Sequence, residues 1–350
     1  MSMSRLKELM AQFDRCRIAV MGDFFLDKYL DVDPSLEELS VETGLRAHQV
    51  VNVRCSPGAA GTVVRNLAAL GAGTVRAIGF TGDDGEAYEL RKALADLRCG
   101  TDHVHCVPAL RTPTYLKPRD VRDQSLKGEH SRYDTKNRRE TPDEVQAALI
   151  ESLEQVVSQV DAVIVMDQIE ERDCGAITGK VREALGAVAR RHPSTLFWAD
   201  SRSRIREFSG VTIKPNQFEA VGKSNPLPGE EVQGDELLDA ARKLRAANQA
   251  PLVITRGAAG MLVSDPEWTV VPGVPVVGDI DPTGAGDSVS AGAVLALCAG
   301  AQWPEAALVG NLVASITIRQ IGTTGVAYPD QLTSALEAWH QRASEINEVS

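Results

Sequence analysis

The sequence lacks the cysteine spacing and the long apolar runs that define several broad classes of protein. Its six cysteines are scattered over 350 residues without a CxxC pair, so neither a disulfide framework nor a zinc site is expected. The opening residues, MSMSRLKELMAQF, carry charges throughout and contain no apolar signal-peptide core. The longest nearly uncharged stretch, residues 288–303, is too short to span a bilayer. We therefore expect a soluble, cytoplasmic protein with no membrane partner.

An excess of positive charge is also missing. Lys and Arg number 37 against 48 Asp and Glu, which gives a formal net charge of −11. A general surface for nucleic acid is therefore not expected, although a local basic pocket is compatible with this balance. The hydrophobic content of 43% is enough to build an ordinary buried core.

Apolar strand-like segments alternate with helix-like segments along most of the chain. Short apolar runs end at Gly or Asp, and between them lie segments whose apolar residues recur every three or four positions. This alternation predicts an α/β fold with a central, mostly parallel sheet flanked by helices, in a single domain spanning residues 1–350. The clearest strand-like runs are RIAVMGD (17–23), TVRAIGFTG (74–82), DAVIVMD (161–167) and STLFWAD (194–200).

Two stretches interrupt this alternation. Residues 48–58 and 114–134 alternate in the manner of strands but carry several polar and basic side chains. We expect them to form a small β-sheet that projects from the main body, contributed by about residues 30–57 and 112–135. Such a sheet could serve as a lid over an active site, as an edge used for dimerisation, or as both. We expect a homodimer whose interface includes this sheet.

The segment DPTGAGDSVSAG places very little side-chain volume at the start of a predicted helix. Glycines allow close approach of a ligand, and the free N–H groups of a helix N-terminus favour an anion. Gly284, Ala285 and Gly286 therefore suggest an anion-binding turn, and Asp287 beside it is suited to accept a proton from a hydroxyl that attacks a phosphoryl group. The alternative is an ordinary strand-to-helix turn in which Asp287 only caps the helix.

This segment resembles the D-T-T-G-A-G-D signature of the ribokinase-like (PfkB) sugar kinases. Other segments resemble further motifs of that family in the family's order: VMGDFFLDKYL, SPGAAGTVVRNLAALGA, KPNQFEA, VITRGAAG and IGTTG. The resemblance covers roughly residues 15–335. It implies a ribokinase-like fold and an ATP-dependent transfer of the γ-phosphoryl group to a hydroxyl of a small sugar substrate, with Mg²⁺ as cofactor.

The resemblance also implies roles for particular residues. On the sugar side it implies Asp27, which would hold hydroxyl groups, together with Asp23, Gly58 and Thr62. A potassium-type ion is implied near Asp281 and Thr283, and Mg²⁺, through water, near Glu219. The implied nucleotide-binding residues are Asn216, Glu219, Thr255, Arg256, Gly257, Asn311 and Gly322.

Within the family, the motifs are most similar to the kinase half of the heptose-7-phosphate kinase/ADP-heptose synthase subgroup. The nucleotidyltransferase half of that subgroup has no counterpart in the sequence. In the subgroup, basic lid residues help to hold the phosphate that the substrate already carries, and Lys117, Arg119 and Arg132 occupy comparable positions. The alternative for each of the three is a charged residue on a solvated strand.

Two positions depart from the pattern of this subgroup. Thr62 stands where an asparagine is usual, which removes an amide from the sugar side, and Gln168 stands where a tyrosine is usual. Because the motif around Asp287 is intact, we expect an active kinase with a shifted substrate. Two alternatives stay open, a catalytically silent sugar or nucleotide sensor and a nucleoside kinase. A dinucleotide-binding dehydrogenase is disfavoured, because residues 71–73 (GAG) end a helix and enter a strand.

Overall fold

The structure is a computed structural model that describes residues 1–123, 125–227 and 229–348. The strands are β1 (Arg17–Gly22), β2 (Phe24–Val32), β3 (Glu38–Leu39), β4 (Arg46–Ala47), β5 (Val50–Ala59), β6 (Thr74–Thr81), β7 (Gly100–Cys106), β8 (Thr114–Asp120), β9 (Tyr133–Thr135), β10 (Ala162–Asp167), β11 (Leu196–Ser201), β12 (Thr212–Ile213), β13 (Val253–Thr255), β14 (Met261–Val263) and β15 (Thr269–Val271). The helices are α1 (Met3–Met10), α2 (Ala60–Leu70), α3 (Gly85–Asp96), α4 (Asp143–Val157), α5 (Gly179–Arg191), α6 (Gln217–Val221), α7 (Gly234–Asn248), α8 (Ala285–Cys298), α9 (Trp303–Thr317) and α10 (Pro329–Glu348).

Six strands form the central sheet in the order β12-β11-β10-β1-β6-β7, and all the pairings are parallel. Every residue of β10 is buried, as expected for a parallel strand covered on both faces. The α/β prediction is therefore confirmed. Two strands of this sheet were not anticipated: β7, whose residues GTDHVHC contain too few apolar side chains to stand out, and β12, which is only two residues long.

Helices cover both faces of the central sheet. Ile18 and Val20 of β1 belong to the buried cluster that includes residues of α2, α8 and α9. Ala19 and Met21, which point to the opposite face, belong to the cluster that includes residues of α4, α5 and α7. The alternation of side chains along one strand thus divides the core into two layers.

The projecting sheet, which we call the lid, has the strand order β5-β2-β8-β9. Its strand β2 pairs antiparallel with β5 and parallel with β8. We predicted that the first lid segment covers about residues 30–57. In the structure β2 begins earlier, at Phe24, with a single residue between it and β1, and β5 continues to Ala59. The chain therefore passes directly from the central sheet into the lid, which places Asp27 between the two sheets.

The carboxyl ends of the central strands form one edge of the sheet, where α/β folds generally bind ligands. Asp23 follows β1, Gln168 follows β10 and Arg202 follows β11 at this edge. The N-terminus of α8 contributes Gly284 to the same region. Among the described residues, no helix combines the length and apolar character needed to cross a membrane.

We expect Gly22→Ala to destabilise the protein strongly, because Gly22 has φ +151° and a Cβ there would lie 2.1 Å from the carbonyl oxygen of Met166. A loss of about 2–4 kcal/mol in the free energy of unfolding is expected, measured by urea denaturation. Gly85→Ala is the matched control, since no atom lies within 4 Å of a Cβ at that exposed helix start. Equal stability of the two variants would contradict this account of the β1–β10 contact.

Candidate active site

Two cavities meet at the carboxyl edge of the central sheet. One, of about 390 Å³, lies beneath the lid and is lined by lid residues such as Asp27, Tyr115 and Lys117; we call it the lid cavity. The other, of about 1060 Å³, is an open groove lined by residues such as Asn216 and Thr255; we call it the cleft. The residues that line both are Gln168, Arg202, Pro282, Gly284 and Asp287.

The N-terminus of α8 lies where the two cavities meet. Gly284 adopts φ +77°, a conformation that favours glycine, and a Cβ there would lie 2.8 Å from Thr324 Cγ2. The backbone N–H of Ala285 donates to Pro282 O, whereas those of Gly284, Gly286 and Asp287 have no acceptor among the described residues. The donors available to an anion are therefore these three, and Ala285, predicted to be one of them, is already engaged in the turn.

The pKa of Asp287 is raised to about 8, mainly by burial and in part by the negative charges of Asp200 and Asp27, while Lys214 and Arg202 oppose the shift. This carboxyl group therefore holds its proton to a higher pH than an exposed aspartate. A carboxyl group with a pKa close to neutrality is suited to accept a proton during a reaction near that pH.

Within the lid sheet, a buried ion pair joins Asp27 of β2 to Lys117 of β8. Lys117 Nζ lies 3.0 Å from Asp27 Oδ1, and the two side chains are 9% and 6% exposed. Burial alone would lower the pKa of Lys117, but Asp27 and Tyr29 outweigh it and the pKa is raised. A Cβ at Gly58 would lie 2.6 Å from Asp27 Oδ2, so Gly58 is needed for the position of this carboxylate rather than as a ligand contact.

The other two predicted lid cations have different surroundings. Arg132 lines the lid cavity, makes two hydrogen bonds to Asp134 and lies over the ring of Tyr115 at 4.4 Å. Arg119 does not line the cavity. It is buried, donates to Ser125 O and packs against Gly322. Only Lys117 and Arg132 of the predicted three therefore face the lid cavity.

Asp23 acts on the loop that follows β10. Its carboxylate accepts hydrogen bonds from the backbone N–H groups of Gln168, Ile169 and Ala176 at 2.7–3.0 Å. The pKa of Asp23 is raised to about 6, mainly by burial and in part by Asp167, while the three hydrogen bonds oppose the shift. Asp23 does not line either cavity, so the structure gives it the position of a loop anchor instead of the predicted contact with a sugar hydroxyl.

Asn216 and Glu219 form a capping box at the start of α6. The pKa of Glu219 is raised to about 7, mainly by burial and in part by Asp200, while the hydrogen bond from Asn216 N–H and the charge of Lys214 oppose the shift. Lys214 is itself buried and lies 2.8 Å from Asp200 Oδ2. Carboxylate oxygens of this kind are the ligands that Mg²⁺ prefers, so the donor set fits a magnesium ion in the cleft.

Several residues predicted to bind the nucleotide lie outside the cleft. Thr255 lines it, but Arg256 and Gly257 form the turn after β13 and do not. Asn311 is buried and donates to Val271 O and Pro272 O, which ties α9 to the segment after β15. Gly322 lies against the Arg119 guanidinium. Of the seven residues implied to bind the nucleotide, three line the cleft: Asn216, Glu219 and Thr255.

Asp281 and Thr283, predicted to hold a monovalent cation, lie together in the turn before α8. Asp281 is buried and its Oδ1 accepts the backbone N–H of Thr283 at 3.0 Å. The Asp281 N–H donates to Ile318 O. Thr283 also lines the lid cavity. No group of three or more metal-binding side chains occurs in the part of the chain that the structure describes.

Four further residues reach the site without having been predicted: Asp200, Arg202, Lys214 and Thr324. Thr324 lies beside Asp27, with Oγ1 3.4 Å from Asp27 Oδ2, and lines the lid cavity. Asp200 and Arg202 could have been noticed as polar residues at the end of a buried strand, and Lys214 as the residue before PNQFE. Nothing in the sequence pattern distinguishes Thr324 from its neighbour Thr323.

This α/β fold, with free N–H groups at a helix N-terminus beside a carboxyl group, is typical of phosphotransferases that act on hydroxyl groups. A family model described as pfkB family carbohydrate kinase matches residues 25–330, and the chain belongs to this family. Membership implies the use of ATP and Mg²⁺.

Curated relatives match most of the chain. The bifunctional protein HldE of Stutzerimonas stutzeri is 29% identical over 332 residues, 93% of this chain. The protein of the same name from Caulobacter sp. (strain K31) is 30% identical over 340 residues, 96% of this chain. The chain spans 65% and 66% of the lengths of these two relatives.

Solved structures share the fold at low identity. Phosphofructokinase-2 from Escherichia coli, in complex with substrates and products, superimposes with a TM-score of 0.68 at 19% identity over 92% of this chain and 99% of that one. Arabidopsis thaliana ribokinase, complexed with ribose and ATP, gives 0.64 at 16% identity over 92% and 98%. The predicted ribokinase-like fold is confirmed.

We expect Lys117→Met to destabilise the protein by about 3 kcal/mol or more, because it leaves the buried carboxylate of Asp27 without its cation. The double variant Lys117→Met/Asp27→Asn removes both charges and is expected to recover most of that loss. Urea denaturation of the two single variants and the double variant gives the coupling energy. If the two substitutions prove additive, Lys117 and Asp27 do not depend on each other in the way described.

Proposed function

We propose that this protein transfers the γ-phosphoryl group of ATP to a hydroxyl group of a sugar phosphate, with Asp287 as general base. The observation that carries the proposal is the position of Asp287 where the lid cavity meets the cleft, beside the unengaged N–H groups of Gly284 and Gly286. With a sugar in the lid cavity and a nucleotide in the cleft, the attacking hydroxyl and the γ-phosphate would meet beside Asp287.

In this proposal each side chain has a limited task. Asp27 accepts hydrogen bonds from the sugar, with Thr324 beside it, and so orients the attacking hydroxyl. Asp287 takes the proton of that hydroxyl as the oxygen approaches phosphorus. The N–H groups of Gly284 and Gly286 donate to the oxygens of the phosphoryl group, where negative charge is spread in the transition state. Phosphoryl transfer of this kind depends on positioning and charge neutralisation more than on covalent chemistry.

The proposed Mg²⁺ site belongs to the cleft side. Glu219 and Asp200, with Asn216, would hold Mg²⁺, in part through water. Magnesium bound there would neutralise phosphate charge and orient the terminal phosphates. Asp281 and Thr283 would hold a potassium-type ion beneath the turn before α8.

Two observations favour a substrate that already carries a phosphate. Arg132 lines the lid cavity, and its ion pair with Asp134 is partly exposed, so a phosphate on the substrate can compete for this guanidinium at small cost, whereas Lys117 stays paired with Asp27. The relatives named HldE and the subgroup motifs favour a heptose-7-phosphate-like substrate within this class. Thr62, which replaces the usual asparagine and lines the same cavity, is the position where specificity would differ. A nucleoside acceptor brings no phosphate and is disfavoured.

The outer part of the lid is the proposed dimer interface. It exposes large apolar side chains over a short segment of chain, which is unusual for a surface that faces only water. The strand β5 is an edge of the lid sheet, so its backbone is also open to a second copy. The exposed residues are Leu36, Leu39, Val41, Leu45, Val50, Val51 and Val53.

We expect Asp287→Asn to lower kcat by about 10²–10⁴-fold, because an amide cannot accept the proton. The measurement is ATP consumption with a panel of sugars and sugar phosphates, and Asp235→Asn, on an exposed residue of α7, is the control. In the wild type, kcat/KM for the acceptor should rise with pH and level off above about pH 8, since Asp287 works in its ionised form and its pKa is about 8.

Each other outcome of this assay has a defined meaning. Turnover confined to unphosphorylated acceptors would reject the sugar phosphate and keep the kinase. ATP binding without turnover on any acceptor would favour the sensor. Activity of Asp287→Asn equal to that of the control would remove Asp287 from its proposed role.

We expect Val51→Glu/Val53→Glu to convert a dimer into a monomer, because the interface would then have to bury two unpaired charges. Light scattering at several protein concentrations measures the mass, with Val270→Glu, at a 54% exposed valine outside the lid, as control. A wild-type protein that is monomeric at all concentrations would rule out the proposed interface.

A further inference from the structure

Arg202 occupies a distinctive position at the junction of the two cavities. It directly follows β11, and its backbone N–H donates to Asp167 O at the end of the neighbouring strand β10. Its side chain lines both the lid cavity and the cleft. Among the described residues it is the one cation that does so. The central sheet therefore holds a guanidinium beside Asp287, where phosphoryl transfer is proposed to occur.

The two buried lysines near Arg202 are already paired with buried carboxylates. Lys117 pairs with Asp27 and Lys214 pairs with Asp200, in both cases with side chains that are almost fully buried. Moving either lysine onto a phosphate would leave a buried carboxylate unpaired, which is costly. Arg202 is not held by a buried partner of this kind.

Among the residues that the structure describes, the side chain of Arg202 has one ion-pair partner, Glu170, with Nε 3.0 Å from Oε1. The two side chains are 59% and 54% exposed, and ion pairs between such exposed groups contribute little to stability. The guanidinium can therefore exchange Glu170 for a stronger acceptor at small cost. A phosphoryl group is such an acceptor, because its oxygens match the planar fork of an arginine.

The electrostatics of the junction agree with this position. Burial raises the pKa of Asp287 and of Glu219, and in both cases the charge of Arg202 opposes the shift. Arg202 also lowers the pKa of Tyr115, which burial otherwise raises, on the lid side. The positive charge of Arg202 is therefore felt on the sugar side, on the nucleotide side and at the carboxyl group between them.

We propose that Arg202 is a further catalytic residue, which leaves Glu170 and donates hydrogen bonds to the γ-phosphoryl group of ATP as it is transferred. In that step the bond between the γ-phosphorus and the oxygen bridging it to the β-phosphate breaks. The bond from the sugar oxygen to phosphorus forms, and the hydroxyl proton passes to Asp287. Arg202 keeps its protons throughout and stabilises the charge on the transferred oxygens. This role rests on the function proposed above.

Binding measurements separate this role from the rest of the site. The probes are a non-hydrolysable ATP analogue with an imido link between its β- and γ-phosphates, and ADP, each with Mg²⁺ in a calorimeter. For Arg202→Gln we expect the analogue to bind about 10- to 100-fold more weakly, as for loss of hydrogen bonds to a charged group. ADP, which lacks the γ-phosphate, should bind within about threefold of wild type, a difference of well under 1 kcal/mol.

Arg172→Gln is the matched control, because Arg172 likewise pairs through an exposed ion pair with one glutamate, Glu207, and lies outside both cavities. It should bind both probes as the wild type does. Equal affinity of Arg202→Gln and wild type for the analogue would overturn the inference while leaving the proposed kinase intact. A wild-type protein that binds neither probe would instead reject the proposed function, and the inference with it.

Turnover gives a second, independent readout once an acceptor is identified. Arg202→Gln should lower kcat by about 100-fold or more, with the KM for the acceptor changed less than about threefold. A raised KM for the acceptor with unchanged kcat would overturn the inference, because it would place Arg202 on the phosphate that the substrate already carries.

Discussion

The site depends on the crowding of carboxyl groups at one edge of the central sheet. Asp27, Asp200, Glu219 and Asp287 surround the meeting point of the two cavities, and like charges at short range in a buried place repel one another strongly. Two of the four are compensated by buried lysines, whereas Asp287 and Glu219 have raised pKa values. In the proposed function Asp287 is the general base and Glu219 a ligand for Mg²⁺, and burial together with neighbouring negative charge keeps the pKa of each above its usual range. The same crowding explains why the lysines are held in place and are not free to follow a ligand.

Hydrogen bonds from buried side chains hold the loop after β10, which lies at the same edge of the central sheet. The loop after β10 is tied down by Asp23, which accepts three of its backbone N–H groups, and by Arg204, whose guanidinium donates to the carbonyls of Ile169 and Glu170. Both anchors are buried, so the loop has little freedom to move. Gln168 in this loop lines both cavities. Hydrogen bonds to the backbone therefore set the position of this loop where the two cavities meet. The side chains that make these bonds, Asp23 and Arg204, line neither cavity.

Much of this arrangement could be predicted from the sequence, because it depends on local patterns. The parallel sheet follows from short apolar runs separated by helix-length segments, and the turn before α8 follows from the small residues around Gly284. Prediction was poorer where a residue acts through a neighbour distant in the chain. Asn311 was expected to bind nucleotide, and instead donates to carbonyls of residues about 40 positions earlier. Arg119 was expected in the lid cavity, and instead packs against Gly322.

The sequence by itself determined the fold class, the order of the elements and the placement of Asp287 at a helix N-terminus, since each of these follows from residues close together in the chain. Only the tertiary structure decided which charges are neutralised and which remain available. In the sequence Lys117 was expected to hold a phosphate and Arg202 was not singled out, but Lys117 is buried against Asp27 whereas Arg202 is exposed beside Glu170. The strength of an ion pair depends on distance and burial, and both are set by the packing of the lid and the central sheet.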